Sequence, residues 1–258
     1  MIRYVTSALV LVVLAVGIQS LRASPLPPPS IGAVVQGSHY DSAKGVVTFS
    51  ILNVSHKGIT AVNLLVRVIR PDGTTVTSGH GGDFLPYMVQ AVDEGLPDNG
   101  VFAAGTVFAM DVPLGQQNVQ AASASVDVVV YDDDTADVLN EQIFESIMSA
   151  RRGRILGMQK ANELLENALA DPNDAHPSIT AVAQIKKLLE QYHANPQDGA
   201  AYEGLGLADA ATNIANAPKS PAGRTEKEDG YLRKLIKTHQ NRVSLFLPHT
   251  KLTKAVQP

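Results

Sequence analysis

Apolar and polar positions alternate through the first half of the chain, and a three-to-four-residue spacing replaces that alternation in the second. Val46–Val54 (VVTFSILNV) alternates, Ile59–Ile69 (ITAVNLLVRVI) is a second long run, and Ser123–Tyr131 ends in near-continuous valine. β-Branched residues at period two fit a pleated surface, and an unbroken apolar run suits a strand covered on both faces. Segments at Ala33–Ser38, Thr74–Thr77 and Phe102–Val112 bring the predicted strands to six or seven, and Pro71-Asp72-Gly73 is a strong turn signal. Ser78–Gly100 is rich in glycine, proline and aspartate and reads as loop, with one short edge strand near Met88–Val92. Short strands, frequent turns and no helical period predict an antiparallel β-sandwich, immunoglobulin-like in arrangement, over residues 31–136.

After the acidic turn Asp132-Asp133-Asp134 the period changes. Leu139, Ile143, Ile147 and Ala150, with Phe144, Met148 and Ile155 beside them, make one apolar stripe of a helix over Asp137–Ala170, with Asp137 as its N-cap. Gly153 and Gly157 predict a kink or local fray, because G-x-x-x-G signals helix pairing only in an apolar membrane segment and arginines flank Gly153 here. Further helices are expected at Pro177–His193, Gly199–Ala215 and Tyr231–Phe246, with a linker at 216–223. The fold class is therefore a β-sandwich followed by an α-helical region over 137–258.

The N-terminus changes the setting. Arg3, the apolar Ala8–Ile18 and the small-residue site near Leu21-Arg22-Ala23 resemble a signal peptide over residues 1–23. Residues 24–30 (SPLPPPS) form a proline-rich linker. Eleven apolar residues fall short of the roughly 20 that span a hydrocarbon core, so cleavage and export to the periplasm or medium are expected. A membrane anchor through an uncleaved segment is the alternative. Cysteine is absent, which excludes disulfides, a thiolate nucleophile and Cys-ligated metal. Residues 24–136 carry four basic and eleven acidic side chains, whereas Arg224–Pro258 carries eight basic and three acidic. Docking of that basic end onto the acidic sandwich competes with a simple solvated face. An exported setting and a net charge of −4 speak against nucleic acid.

Candidate chemistry is sparse. Asp132, Asp133, Asp134, Asp137 and Glu141 form the densest carboxylate group, a weak candidate for calcium or for paired-carboxylate hydrolysis, without the alternating Asp-x-Asp-x-Asp-Gly of a helix-loop-helix site. The chain has 5% aromatic residues and no tryptophan, little for a sugar-cleaving cleft. Its seven histidines form no close ligand pair and read as solvated. His80-Gly81-Gly82-Asp83 reads as a tight loop turn, and Arg151, Arg152 and Arg154 as a solvated helix face, with a grip on an anionic partner as the alternative. Gly204-Leu205-Gly206-Leu207 lacks the strand and third glycine of a dinucleotide fingerprint, and Asn53-Val54-Ser55 is a glycosylation sequon by letter.

The pieces NVSHKGITAVNLLVRVIRPDGT and VDVVVYDDDTAD, followed by IFESIMSARRGR, resemble a group of uncharacterised exported bacterial proteins. These have a signal peptide, one immunoglobulin- or fibronectin-like sandwich and a helical C-terminal extension. The resemblance covers roughly residues 31–157 and implies fold and export only; it also implies glycine in the turn, where this chain has Asp134. The expectation is an exported non-catalytic binding or structural module of the cell envelope, without cofactor. Its partner would be an unknown protein or surface polymer, and self-association through the long helix is a further option.

Overall fold

The computed structural model describes residues 31–96, 101–114, 119–194, 200–251 and 253–255, and among these residues it forms two antiparallel sheets and five α-helices. The expected signal peptide and linker, residues 1–30, lie outside the described residues. Among the described residues no helix is long and apolar enough to cross a membrane.

The first sheet holds β1 (Ala33–Asp41), β2 (Val46–Asn53) and β5 (Val107–Pro113), in the order β1-β2-β5. The second holds β3 (Ile59–Ile69), β4 (Thr75–Asp83), β6 (Ala121–Tyr131) and β7 (Thr135–Val138), in the order β4-β3-β6-β7, and short β8 (Thr253–Ala255) adds parallel to β7. The β3–β4 hairpin closes as its letters predict. Gly73 takes φ 81°, and Asp72 accepts from the Thr74 amide and hydroxyl at 2.9 and 2.7 Å. Strict alternation in β2 sends Val47, Phe49 and Ile51 into the layer between the sheets, where they meet Val62, Leu64 and Val66 of β3 and Ala122, Ala124 and Val126 of β6.

Two irregularities in the β3–β6 ladder aim polar groups out of that layer. The register slips at Thr60 on β3 and at Asp127 on β6. The slip on β6 reverses the parity of the strand: Ala122, Ala124 and Val126 face the other sheet before it, whereas Val128 and Val130 face outward after it. That outer face is covered by α2 (Glu141–Ala170), through Phe144 and Met148 over Ala61, Val128, Val130 and Ala136. The valine-rich end of β6 is thus covered on both sides.

Helix α2 starts later than expected. Asn140 is its N-cap, with Oδ1 accepting from the Ile143 amide at 3.3 Å. Asp127 holds that cap in place, accepting from Nδ2 of Asn140 and, at 2.8 Å, from Nδ2 of Asn63. Asp137 instead belongs to β7, which carries the sheet past residue 136. Residues 85–94, expected as loop and a short edge strand, form α1 (Leu85–Glu94), with Leu85 and Val89 four residues apart on its buried face and Pro86 in its first turn. His80–Asp83 lies in β4, not in a turn.

The remaining helices, α3 (Pro177–Ala194), α4 (Ala200–Ala215) and α5 (Glu226–Phe246), build a second core on the far half of α2, where Leu165, Ile185, Leu207, Ile214 and Leu232 meet. Gly153 and Gly157 do not break α2. A Cβ on Gly157 would lie 2.1 Å from the Glu203 carbonyl oxygen, and one on Gly206 would lie 2.1 Å from that of Arg154. The glycines let α2 and α4 cross backbone to backbone, so the spacing set aside in the sequence marks helix pairing within this chain, outside any membrane. The basic end does dock on the sandwich: Arg242 meets Asp93 and Glu94 of α1, and Nδ1 of His249 lies 2.6 Å from Asp134.

Candidate functional site

The acidic turn is dispersed. Asp132 accepts from the Gly58 amide at 3.1 Å, and Asp133 pairs with Lys57 at 2.8 Å and takes the Thr135 hydroxyl at 2.6 Å. Burial pushes the Asp133 carboxyl up, but the hydrogen bonds from Lys57 and Thr135 more than offset that and hold it below the usual carboxylate range. Asp134 takes φ 65° at the end of a three-residue loop and faces His249. Asp137 accepts from the Gly32 amide at 2.8 Å and from the Tyr131 hydroxyl at 2.5 Å. Burial first, and then that carboxylate, raise the Tyr131 hydroxyl far above its ordinary value. Glu141 lies exposed in the first turn of α2. The four aspartates therefore point to different partners, and among the described residues no group of three or more His, Asp or Glu is arranged to hold a metal ion. Asn53 of the sequon is fully buried, donating to the carbonyls of Lys57 and Phe102 at 2.7 and 2.8 Å.

A more organised set of polar groups sits at the seam between sandwich and helices. Asp83, the last residue of β4, accepts from the Leu85 amide at the start of α1 and receives the Arg151 guanidinium through Nη2 at 2.8 Å and Nε at 3.2 Å. Nη2 of Arg151 also donates to the Thr60 hydroxyl at 3.1 Å, so the irregularity in β3 is where this arginine enters. Arg151, expected on a solvated face, is 1% exposed, and its Nη1 is buried without a hydrogen-bond partner. One α-helical turn further on, Arg154 pairs with Asp209 of α4 at 2.7 Å.

Of these groups Asp83, Arg154 and Asp209 border a cleft of about 500 Å³ bounded by α1, α2, α4 and α5. Asp83, Glu94, Arg154, Asp209, Arg242 and His239 supply its polar wall, and Tyr87, Val89, Met158 and Phe246 its apolar one. His239 corrects the expectation that the histidines are solvated. It is 1% exposed, its Nδ1 lies 2.9 Å from Oδ1 of Asn162, and its Nε2 is buried without a hydrogen-bond partner. Burial, reinforced by the positive charge of Arg242, pushes the ring down to about 4, so it is neutral at pH 7. The burial of Arg151 and His239 was missed although each falls on an apolar stripe, Phe144–Met148–Arg151–Ile155 and Leu232–Ile236–His239–Phe246. A polar residue on a buried stripe was the available signal.

Comparison with protein-family models, curated proteins and solved structures finds no match.

Proposed function

We propose that this chain is an exported, non-catalytic binding module of the cell envelope, and that its ligand or partner is taken at the seam cleft. The single observation that carries this reading is the cleft itself, whose polar wall joins the last residue of a sandwich strand to three helices of the C-terminal layer. Pockets formed where two packed layers meet are a preferred place for binding. The chemistry of the wall favours binding over catalysis. Arg151 holds Asp83, Arg154 holds Asp209 and Arg242 holds Glu94, so each of these carboxylates is already engaged by an internal cation. Export rests on the N-terminal pattern of residues 1–23.

The immunoglobulin-like assignment is part of the same proposal. Its support is the division of the strands into β1-β2-β5 and β4-β3-β6-β7. This division departs from the constant-type arrangement in one respect: the fourth strand sits at the edge of the second sheet. Self-association through α2 would need its exposed strip around Leu156, because its buried stripe is covered from within the chain.

Crosslinking and pulldown of the exported protein from its native envelope tests the reading. Recovery of a defined protein or polymer, lost when Asp209 and Tyr87 are replaced by alanine, is expected; recovery of the chain alone overturns it. The calcium alternative is tested by melting with and without about 5 mM calcium, near the upper range of extracellular sites. The expected midpoint is unchanged.

A further inference from the structure

We infer that the seam cleft takes a neutral, polyhydroxylated ligand of the carbohydrate class, with a hydroxyl directed at Nε2 of His239 and a C–H face laid against Tyr87. The inference rests on the binding-module reading and names the ligand class for it.

With Oδ1 of Asn162 as its neighbour, Nδ1 of His239 is the donor, which leaves Nε2 as an acceptor. That acceptor is buried and unmet, in a side chain lining the cleft. What satisfies it must bring an O–H or N–H, directly or through one bridging water. Arg154 lies 2.7 Å from Asp209, Arg242 3.2 Å from Glu94, and Asp83 2.8 Å from Arg151. An ionic ligand would have to displace one of these internal partners, whereas a neutral hydroxyl can use the remaining lone pairs and N–H groups and still gain a charge-assisted bond.

The lining is mixed. Val89, Met158 and Phe246, none more than 5% exposed, line the cleft beside the charged groups, and Tyr87, 67% exposed on α1, stands at the rim. A sugar ring is two-sided, with hydroxyls around its edge and C–H bonds on its faces. A chain with 5% aromatic residues places two of them here. The volume, about 500 Å³, suits a short oligosaccharide rather than a lone ion.

The test is isothermal titration calorimetry of the full chain against cellobiose, diacetylchitobiose, mannobiose and maltotriose, with digalacturonate and a lysine dipeptide as charged probes. Tyr87→Ala and Asp209→Asn are the variants, since both side chains are largely exposed and neither change should unfold the chain. At least one neutral saccharide is expected to bind, and each variant should weaken it by about tenfold. Saccharide binding unchanged in both variants overturns the inference. Binding of a charged probe alone, weakened by the variants, overturns the ligand class and leaves the binding module standing, as does capture of an envelope partner without saccharide binding. A chain that binds no probe and recovers only itself from the envelope overturns both.

Discussion

The layer between the two sheets and the seam between sandwich and helices hold together by opposite means. Between the sheets, Phe49, Ile51, Leu64 and Val66 interlock without a charge among them. Across the seam, small apolar clusters are interrupted by Arg151–Asp83–Thr60, Arg242–Asp93 and His249–Asp134. Apolar burial supplies strength without direction, whereas buried ion pairs and hydrogen bonds tolerate few geometries. The sandwich needs only its alternation to form. The seam needs particular atoms to meet, and it is where the cleft lies.

The comparison breaks most visibly by truncation on each side. Phe49→Ala should cost about 3–5 kcal/mol by cavity formation, read from urea unfolding, with little dependence on salt. Arg151→Ala should cost a similar 3–5 kcal/mol for another reason, since it leaves Asp83 and Thr60 facing an unmet buried space. The sharper experiment is the double change Arg151→Met with Asp83→Ala. An apolar pair of comparable volume should recover most of the loss. No recovery would mean that the ion pair and its hydrogen bonds are themselves net stabilising.

Acid should act on the seam before the sandwich. His239 has a folded value of about 4 against an ordinary 6.5, so between those values the unfolded chain binds the extra proton. Its contribution is complete above 6.5 and is lost as pH falls towards 4. At about 1.4 kcal/mol per unit this is on the order of 3 kcal/mol. Arg242 opposes the charged ring and Asp93 favours it, after burial. The carboxylate of Asp133 is held below its ordinary 3.8, so its contribution is lost only at lower pH. Unfolding measured from pH 7 to 4.5 should show this slope, and His239→Gln should flatten it. An unchanged slope in that variant would assign the acid response elsewhere.

A smaller effect is expected where α2 crosses α4. Gly157→Ala places a methyl 2.1 Å from the Glu203 carbonyl oxygen and 2.7 Å from the Leu207 amide nitrogen. Backbone on both sides must move, at about 1–3 kcal/mol, against a gain of about 1 kcal/mol in helix propensity. Net destabilisation by thermal melting is the expected outcome; stabilisation would show that the crossing is loose.

These sites also mark the limit of what could be read in advance. Period two gave β2 nearly to the residue, because one buried face imposes the alternation, and long apolar runs gave β3 and β6, which are covered on both faces over part of their length. Helix α1 was hidden because it is ten residues long, follows a glycine run and carries Pro86, which in a first turn favours a helix. Arg151 looked like one of three surface arginines, and Asp83 like the end of a turn, because their meeting is a tertiary fact 68 residues apart in sequence. The acidic turn attracted attention by its density, but three adjacent carboxylates on a hairpin loop point in different directions.

The mildest change expected is Asp134→Gly, at the turn where glycine was anticipated. Asp134 holds φ 65°, a conformation glycine adopts freely and aspartate at modest cost. The substitution removes that cost but loosens the unfolded chain by about 0.4–1 kcal/mol. It also deletes the half-exposed contact with His249, at about 0–1 kcal/mol. These terms nearly cancel, so urea unfolding should move by less than about 1 kcal/mol in either direction. Amide exchange at Thr250, whose N–H bonds the Leu247 carbonyl at 3.3 Å, is the more sensitive measurement. Faster exchange there with global stability unchanged would show that His249 ties the end of α5 to the sandwich, a polar clasp of the same kind as Arg151 at the other end of the seam. Unchanged exchange would leave Arg151 and Arg242 as the connections that fix the two layers.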